Sequence, residues 1–589
     1  MDTSFRDGFQ SCFGARVLTK DFMPALKASV EAGIEHFEAG GGARFQSLFL
    51  YCNESAFDMM DRFRQETGPN ANLQTLARGI SVVALSQQPR DMIDLHAKMF
   101  KKHGMTTIRN FDALNDARNL QYSGERIKHH GLKHQIVISV MDLPPGSAGA
   151  HTPEFYMKTL KDILDLQIPF DSICFKDASG IANPAKVYET FKSARKMLPP
   201  ETILWCHTHD TASLGISQYK AAIEGGADGI DLSKSPCSGG TCQPDMLSMI
   251  HALKGTDFTL DLDYEKVLKA ADAFEQAMSD YFVPPEAKMI TPMVTLAPMP
   301  GGALTANTMM MRDTGTLHLY PQVIKEMSEV VRLGGFATSV TPVSQFYFQQ
   351  AYTNVTQGRW KTITKGYGDM VLGYFGRTPV KPDAEVVRLA AEQLGKKPFD
   401  GDPLDILEAG IPKAEKVLKD NNLPVNDENL FIIASCETKG LEFLQGKAKV
   451  NVRKISEEKK KEAAVEVKSA PKAAQPASGP RNYSILVNGQ NYQVTVSDAG
   501  GIQAAPSAAP AAPAAPKVAG MDVNAPAPGN ILKIEVNVGD TVAAEQVLLV
   551  MEAMKMENPV KTPKAGKVLE IHVSPGDTVQ TGNPLVTIG

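Results

Sequence analysis

The chain has seven cysteines (Cys12, Cys52, Cys174, Cys206, Cys237, Cys242 and Cys436), with no CxxC pair and no spacing that suggests a disulfide framework. That usage fits a reducing compartment. It has no run of about 18 apolar residues, which excludes a membrane-crossing helix, and no secretory leader is read at its start. It lacks an excess of positive charge: 61 basic and 66 acidic residues leave a net charge of -5. A nucleic-acid partner and a polybasic membrane patch are therefore not expected. No glycine-rich dinucleotide loop follows the first strand signal, which argues against an open doubly wound sheet. What remains is a chain of 589 residues, 43% of them hydrophobic, long enough for several domains and a large core. A cytoplasmic place is expected, with a peripheral place at a membrane left open through a partner subunit.

From Met1 to about residue 235, short apolar runs alternate with longer mixed segments. Strands are expected at His36–Glu38, Leu73–Leu76, Thr106–Phe111, Gln135–Met141, Asp171–Lys176, Ile203–His207 and Gly229–Leu232. Helical stretches such as Asp91–His103 and Thr152–Leu166 lie between them. With a first strand at the very start, the pattern gives eight βα units, the count of a closed (β/α)8 barrel. Arg78, Arg109, Asp112, Lys176, His207 and His209 fall at strand ends, on the face where such barrels build active sites. Asp2 stands so near the start that strand one is either unusually short or begins upstream.

Residues 236–455 carry long helical patterns, including Tyr264–Gln276 and Val323–Val331, and read as a mainly helical accessory domain. A charged and Ala/Pro-rich linker is expected over 456–520, with a small β unit at 482–496 around Asn488-Gly489. The tract Ala504–Pro516 has too little apolar surface to fold and reads as a semi-rigid spacer. Residues 521–589 form the last domain, an all-β unit of the biotinyl (lipoyl-like) kind. In it, Ala525-Pro-Ala-Pro-Gly529 recurs as Thr562-Pro-Lys-Ala-Gly566, and Gly539-Asp-Thr-Val542 as Gly576-Asp-Thr-Val579. Near the centre of this duplication stands Val550-Met-Glu-Ala-Met-Lys-Met-Glu557. That octapeptide resembles the biotinylation site of carboxyl-carrier domains, so Lys555 is expected to hold covalent biotin, an ordinary surface lysine being the alternative.

Cys206-His-Thr-His-Asp210 places two histidines at i and i+2 at a strand end, which turns both rings to one side. Such a pair serves a metal or simply packs at a strand end. An acid (Asp7) and a lysine (Lys176) on other strand ends of the same barrel favour a metal.

Asp2-Thr-Ser-Phe-Arg-Asp-Gly-Phe-Gln-Ser11 is similar to the D-T-T-[LF]-R-D-A-H-Q-S motif of biotin-dependent 2-oxo acid carboxyltransferases. Lys176-Asp-Ala-Ser-Gly180 resembles their K-D-[MA]-[AS]-G segment, and His207 and His209 their H-x-H. The family includes the carboxyltransferase module of pyruvate carboxylase, the oxaloacetate decarboxylase alpha subunit and transcarboxylase. The resemblance implies that Asp7, His207 and His209 bind a divalent metal, zinc or manganese, with Lys176 as fourth ligand after CO2 makes it a carbamate. It implies that Arg78 grips the 2-oxo acid, that Gln10 hydrogen-bonds it and that Arg6 supports enolate charge. It further implies that Thr305, after the Pro300-Gly-Gly turn, passes a proton between biotin and the enolate. The implied reaction carboxylates pyruvate, or decarboxylates oxaloacetate in reverse.

The chain departs from the family at Phe9 (for histidine), Leu85 (for tyrosine), and Arg44 and Gln46 (for threonine and aspartate). These read as a retuned acceptor pocket with an added cation, which would suit 2-oxoglutarate; the 2-oxoglutarate carboxylase large subunit is thus the alternative. A non-catalytic biotin carrier is the alternative of another class, and it leaves Asp7, Lys176, His207 and His209 without a role. No ATP-binding carboxylase module is read in the chain. The expected partners are a separate ATP-dependent biotin carboxylase subunit, or a membrane decarboxylase of a sodium pump, together with a biotin protein ligase. A homo-oligomer is expected.

Overall fold

The computed structural model describes residues 1–456, 481–487, 490–496, 520–526, 528–553, 556–580 and 582–589. Seven parallel strands pair in sequence order: β1 His36–Gly41, β2 Asn72–Ala77, β3 Thr107–Phe111, β4 Lys133–Ser139, β5 Ser172–Asp177, β6 Ile203–Thr208 and β7 Gly229–Ile230. All seven expected strands are therefore present. The eighth is reduced to a stub. Asp2 bridges Phe37 on one side and Leu232 on the other, both in parallel. Its backbone exchanges bonds with His36 and Glu38, while Met1 and Thr3 bond Leu232. Residues 1–3 thus close the barrel between β1 and the end of β7. The strands are buried nearly throughout (Asn110, Ile136, Ile138, Ile173 and Leu204 are fully covered) because helices such as Arg90–Lys102 and Pro153–Asp165 clothe the outside.

The helical region comprises nine helices among the described residues, from Tyr264–Met278 to Asp427–Leu444. It does not form a separate core. One apolar cluster joins Leu76, Phe111, Val137 and Ala178, at the C-terminal strand ends, to Leu304, Ile324, Tyr347 and Met370 of the helices. The helices therefore roof the C-terminal end of the barrel.

Beyond the barrel and its roof, β8 Arg481–Val487 pairs with β9 Gln490–Val496 in antiparallel fashion. The charged run Lys454–Lys468 and the Ala/Pro tract lie mostly outside the described residues. The last domain is a sandwich of two four-stranded sheets over a core of Ile531, Leu548, Leu549, Met551, Val568, Leu585, Val586 and Ile588. Its strands are β10 Met521–Asn524, β11 Gly529–Ile534, β12 Thr541–Val542, β13 Val547–Ala553, β14 Met556–Lys561, β15 Gly566–Ile571, β16 Thr578–Val579 and β17 Pro584–Ile588. The duplication is structural: β11 and β15 share one burial alternation, and β12 and β16 share another. Lys555 itself lies outside the described residues. The strands on either side of it, β13 and β14, form a hairpin in which Ala553 pairs with Met556.

Candidate active site and metal centre

Asp7 stands on the turn Ser4–Gly8, which leaves the barrel directly after the closing residues. Lys176 is in β5 and His207 is its direct neighbour in β6, since the parallel register pairs these two residues. His209 follows two positions later, on the same side. The Asp7 carboxylate lies 3.3 Å from Nε2 of His207 and 3.3 Å from Nε2 of His209. Nζ of Lys176 is 2.8 Å from His207 Nε2 and 3.9 Å from the Asp7 carboxylate. All four side chains are buried. The donor atoms of Asp7, His207 and His209 lie within 4.8 Å of one another, so a single ion can bind all three.

The electrostatics favour that donor set. Burial works against the Asp7 carboxylate, yet Arg6 and His209 hold it well below the usual range, so it is an anion. Burial pulls the His207 imidazole down, with Lys176 adding to the effect, which favours the neutral ring a metal needs. Burial also lowers Lys176, against the pull of Asp7, and so favours the free amine.

Two residues outside the expected set orient these donors. Nδ1 of His207 lies 2.6 Å from Asp231, which in turn is ion-paired to Arg109 and accepts from the Trp205 indole. Burial opposes the Asp231 charge, but Arg109 and His207 keep it far below the ordinary carboxylate value. A carboxylate on Nδ1 directs Nε2 toward Asp7, the arrangement of metal-ligating histidines. Gln243 donates to Asp7 at 3.1 Å and lies 3.1 Å from His209 Nε2, while its oxygen accepts from Thr3. An acid in the otherwise apolar Gly229-Ile-Asp-Leu232 was the available signal for Asp231. Gln243 sits in a loop and had none.

A cavity opens beside this cluster, lined by Arg6, Asp7, Gln10, Arg78, Lys176 and His209, with Leu76, Phe111 and Gly302 among the apolar and backbone walls. Nη1 of Arg78 donates to Val83 O at 2.6 Å and Ala84 O at 2.8 Å, which fixes its fork at the wall. Burial lowers the Arg78 guanidinium to about 9, with nearby Arg6 adding repulsion. Arg6 is ion-paired to Glu38 and to Asp7 and donates to Gln10 Oε1 at 3.1 Å. Thr305 is not brought to this wall. Its hydroxyl donates to Ser11 O at 2.5 Å, and Ser11 leads on to Asp7 at 3.4 Å. The helix carrying it, Gly301–Asp313, meets the cavity through its first turn, at Pro300 and Gly302.

The four departures do not retune the cavity, which corrects that expectation. Phe9 stacks on Phe274 with ring centroids 5.8 Å apart, inside the apolar core. Arg44 is buried with Nη1 donating to Ala15 O and Val17 O, both at 2.7 Å. Gln46 donates to Ser435 O at 2.8 Å. None of these, nor Leu85, lines the cavity.

Three family descriptions match the chain: an HMGL-like domain over residues 127–273, a conserved carboxylase domain over 294–496 and a biotin-requiring enzyme domain over 521–588. A pyruvate carboxylase subunit from Methanocaldococcus jannaschii is 29% identical over 561 residues, 94% of each chain. The methylmalonyl-CoA carboxyltransferase 5S subunit of Propionibacterium freudenreichii subsp. shermanii is 30% identical over 499 residues, 84% of this chain and 96% of that protein. The 2-oxoglutarate carboxylase large subunit of Hydrogenobacter thermophilus is 28% identical over 604 residues, 95% of this chain and 90% of the relative. Among solved structures, the carboxyl transferase domain of Rhizobium etli pyruvate carboxylase, determined with pyruvate and biocytin, shares the fold. Its TM-score is 0.69 at 22% identity, over 85% of this chain and 88% of that one.

Proposed function

The chain belongs to the biotin-dependent carboxyltransferases, and on that premise we propose that it moves a carboxyl group between biotin on Lys555 and pyruvate, giving oxaloacetate. The observation that carries this reading is the buried cluster of Asp7, Lys176, His207 and His209 beside the fixed guanidinium of Arg78.

In this reading Asp7, His207, His209 and Lys176 hold a divalent ion, zinc or manganese, which supplies Lewis-acid charge to the site. Lys176 is suited to the fourth place because burial favours its free amine. The amine adds CO2 and releases a proton, so an anionic carbamate replaces an ammonium that would repel the ion. Arg78 binds the acceptor's carboxylate through its planar fork. Gln10, at the same wall, donates its amide N–H to the keto oxygen as that oxygen gains enolate charge. Arg6, already paired with Glu38 and Asp7, supports that charge at short range. Thr305 would pass the proton between the biotin nitrogen and the acceptor methyl group after its hydroxyl leaves Ser11 O and its helix shifts it toward the cavity that it does not line in this structure. The helical roof covers the strand ends, which keeps released CO2 close to the enolate.

The charge count at the cavity favours a one-carboxylate acceptor. Of its three lining cations, Arg6 is ion-paired and Lys176 belongs to the metal set, which leaves Arg78 for one carboxylate. Arg44, the added cation that would have served 2-oxoglutarate, is turned elsewhere. We further propose a homo-oligomer served by a separate ATP-dependent biotin carboxylase subunit and a biotin protein ligase. A membrane decarboxylase subunit would take the place of the carboxylase if the reaction runs toward decarboxylation.

The test is transfer of labelled CO2 from carboxylated, biotinylated protein to pyruvate or 2-oxoglutarate. Label recovered as malate after borohydride reduction, with little in the reduced 2-oxoglutarate product, is the expected result. A preference for 2-oxoglutarate overturns the acceptor assignment, and no transfer to either overturns the reading as a whole.

A further inference from the structure

The carrier domain rests against the barrel and its helical roof along a cleft of about 390 Å³. Arg16, Tyr51 and Asn307 stand on one wall of this cleft, with Gly529, Asn530 and Glu552 of the carrier on the other. One side-chain hydrogen bond crosses it: the Tyr51 hydroxyl donates to the Glu552 carboxylate at 3.2 Å. A second anchor lies further along, where the Gln357 amide donates to Pro526 O. Two anchors leave the carrier only rotation about the line joining them, where a single contact would leave it every orientation.

Tyr51 is built for this task. The guanidinium of Arg16 covers its ring, 3.9 Å from the centroid, and holds it toward the carrier. Burial, together with the charge of Glu552, raises the hydroxyl so that it remains a donor at neutral pH. Glu552 stands in β13, three residues before Lys555, and pairs across the hairpin with Glu557. A grip on Glu552 is therefore a grip on the hairpin that bears the biotin lysine. Asn307, on the same wall as Tyr51, follows Thr305 by two residues on the helix whose first turn meets the acceptor cavity. The docked carrier thus lies along the element that caps the active site.

We propose that Tyr51, braced by Arg16, is the positioning residue that docks this chain's carrier domain by binding Glu552, setting Lys555 in register with the active site. The proposal rests on the carboxyltransferase reading and adds to it the residue that distinguishes a tethered biotin from a free one. Tyr51 touches neither acceptor nor metal donors; it acts through the carrier.

The first experiment needs no activity. Full-length protein with Tyr51→p-benzoylphenylalanine is irradiated and the adducts are mapped by mass spectrometry. Cross-links to residues 547–561 are expected; adducts elsewhere, or none, overturn the proposal. The second compares Tyr51→Phe with the unchanged protein at equal biotinylation of Lys555. Transfer from tethered carboxybiotin should fall roughly tenfold, as for loss of one hydrogen bond to a charged group, while transfer with free biotin in solution stays unchanged. Glu552→Gln should reproduce that split, and the double variant should be no worse than either single one. An equal fall in both assays, or no fall in either, overturns the assignment. Should the unchanged protein show no transfer at all, the function proposed above fails, and the cross-link still decides the docking.

Discussion

Asp231 lies behind His207 rather than at the acceptor cavity, yet it sets the direction in which His207 presents its free nitrogen. Asp231→Asn should leave the barrel folded and weaken metal retention roughly 10- to 100-fold, the usual cost of losing such a partner. Metal content after dialysis, followed by titration of activity with added metal, checks this; recovery at high metal marks a positioning role. Lys176→Met should be more severe, because it removes the buried amine proposed as the fourth donor, and added metal should not restore activity. At this scale the sequence was informative wherever function demands a fixed spacing. Asp7, Lys176, His207 and His209 could be placed from strand ends, and Arg6, Gln10 and Arg78 followed from resemblance to the family motif. Asp231 and Gln243 went unseen because they act through other side chains, and no pattern along the chain marks such a role. Arg44 misleads for a related reason: closeness in sequence to a motif does not say which way a side chain turns, and two backbone carbonyls captured it.

The helix Gly301–Asp313 links the active site to the carrier cleft, and its seat depends on one missing side chain. A Cβ at Gly301 would fall 1.7 Å from Thr241 O and 2.8 Å from His209 Nδ1. Gly301→Ala must therefore displace either the helix or the histidine. The expected outcome is a folded protein, by circular dichroism, with transfer reduced at least tenfold and weakened metal retention. The strands were legible as elements because short apolar runs, such as Ile136-Val-Ile138 and Ile173-Cys-Phe175, alternate with longer amphipathic segments. Strand one was expected at the very start from the eight-unit count alone, since a single bridging residue has no period to detect. The accessory region was legible as helices that pack on the barrel, and the shared core adds which residues they cover, Leu76, Phe111 and Ala178 among them.

At the scale of the whole molecule, His96, His134 and His151 are buried away from the active site. Burial lowers His96 to about 3, and His134 and His151 to about 4, from the ordinary 6.5. Between those values the unfolded chain binds more protons than the folded one, so stability rises with pH. The contribution is complete above about 6.5 and is lost as pH falls toward 4. The melting temperature of the barrel should accordingly drop steadily below pH 6.5. His96 is packed 4.2 Å from Phe100 and 5.7 Å from Phe431 by ring centroids, so His96→Phe should flatten that decline without lowering stability at neutral pH. A decline of unchanged steepness would locate the acid sensitivity elsewhere.

Closure of the barrel by residues 1–3 has a temporal consequence. The hydroxyl of Thr3 reaches Leu232 O across 229 positions of sequence, and Asp7 follows only four residues after Thr3. The contacts that complete the ring thus join the two ends of the barrel segment, the kind of distant pairing that forms late in folding. Asp7 comes to His207 and His209 by the same movement that brings the two ends together. On a ribosome the metal donors stay apart until all seven later strands have emerged. Cobalt added during refolding should therefore develop its visible absorption in a phase slower than the recovery of helical circular dichroism. The ion would then report, as a built-in clock, the moment at which the ring has shut.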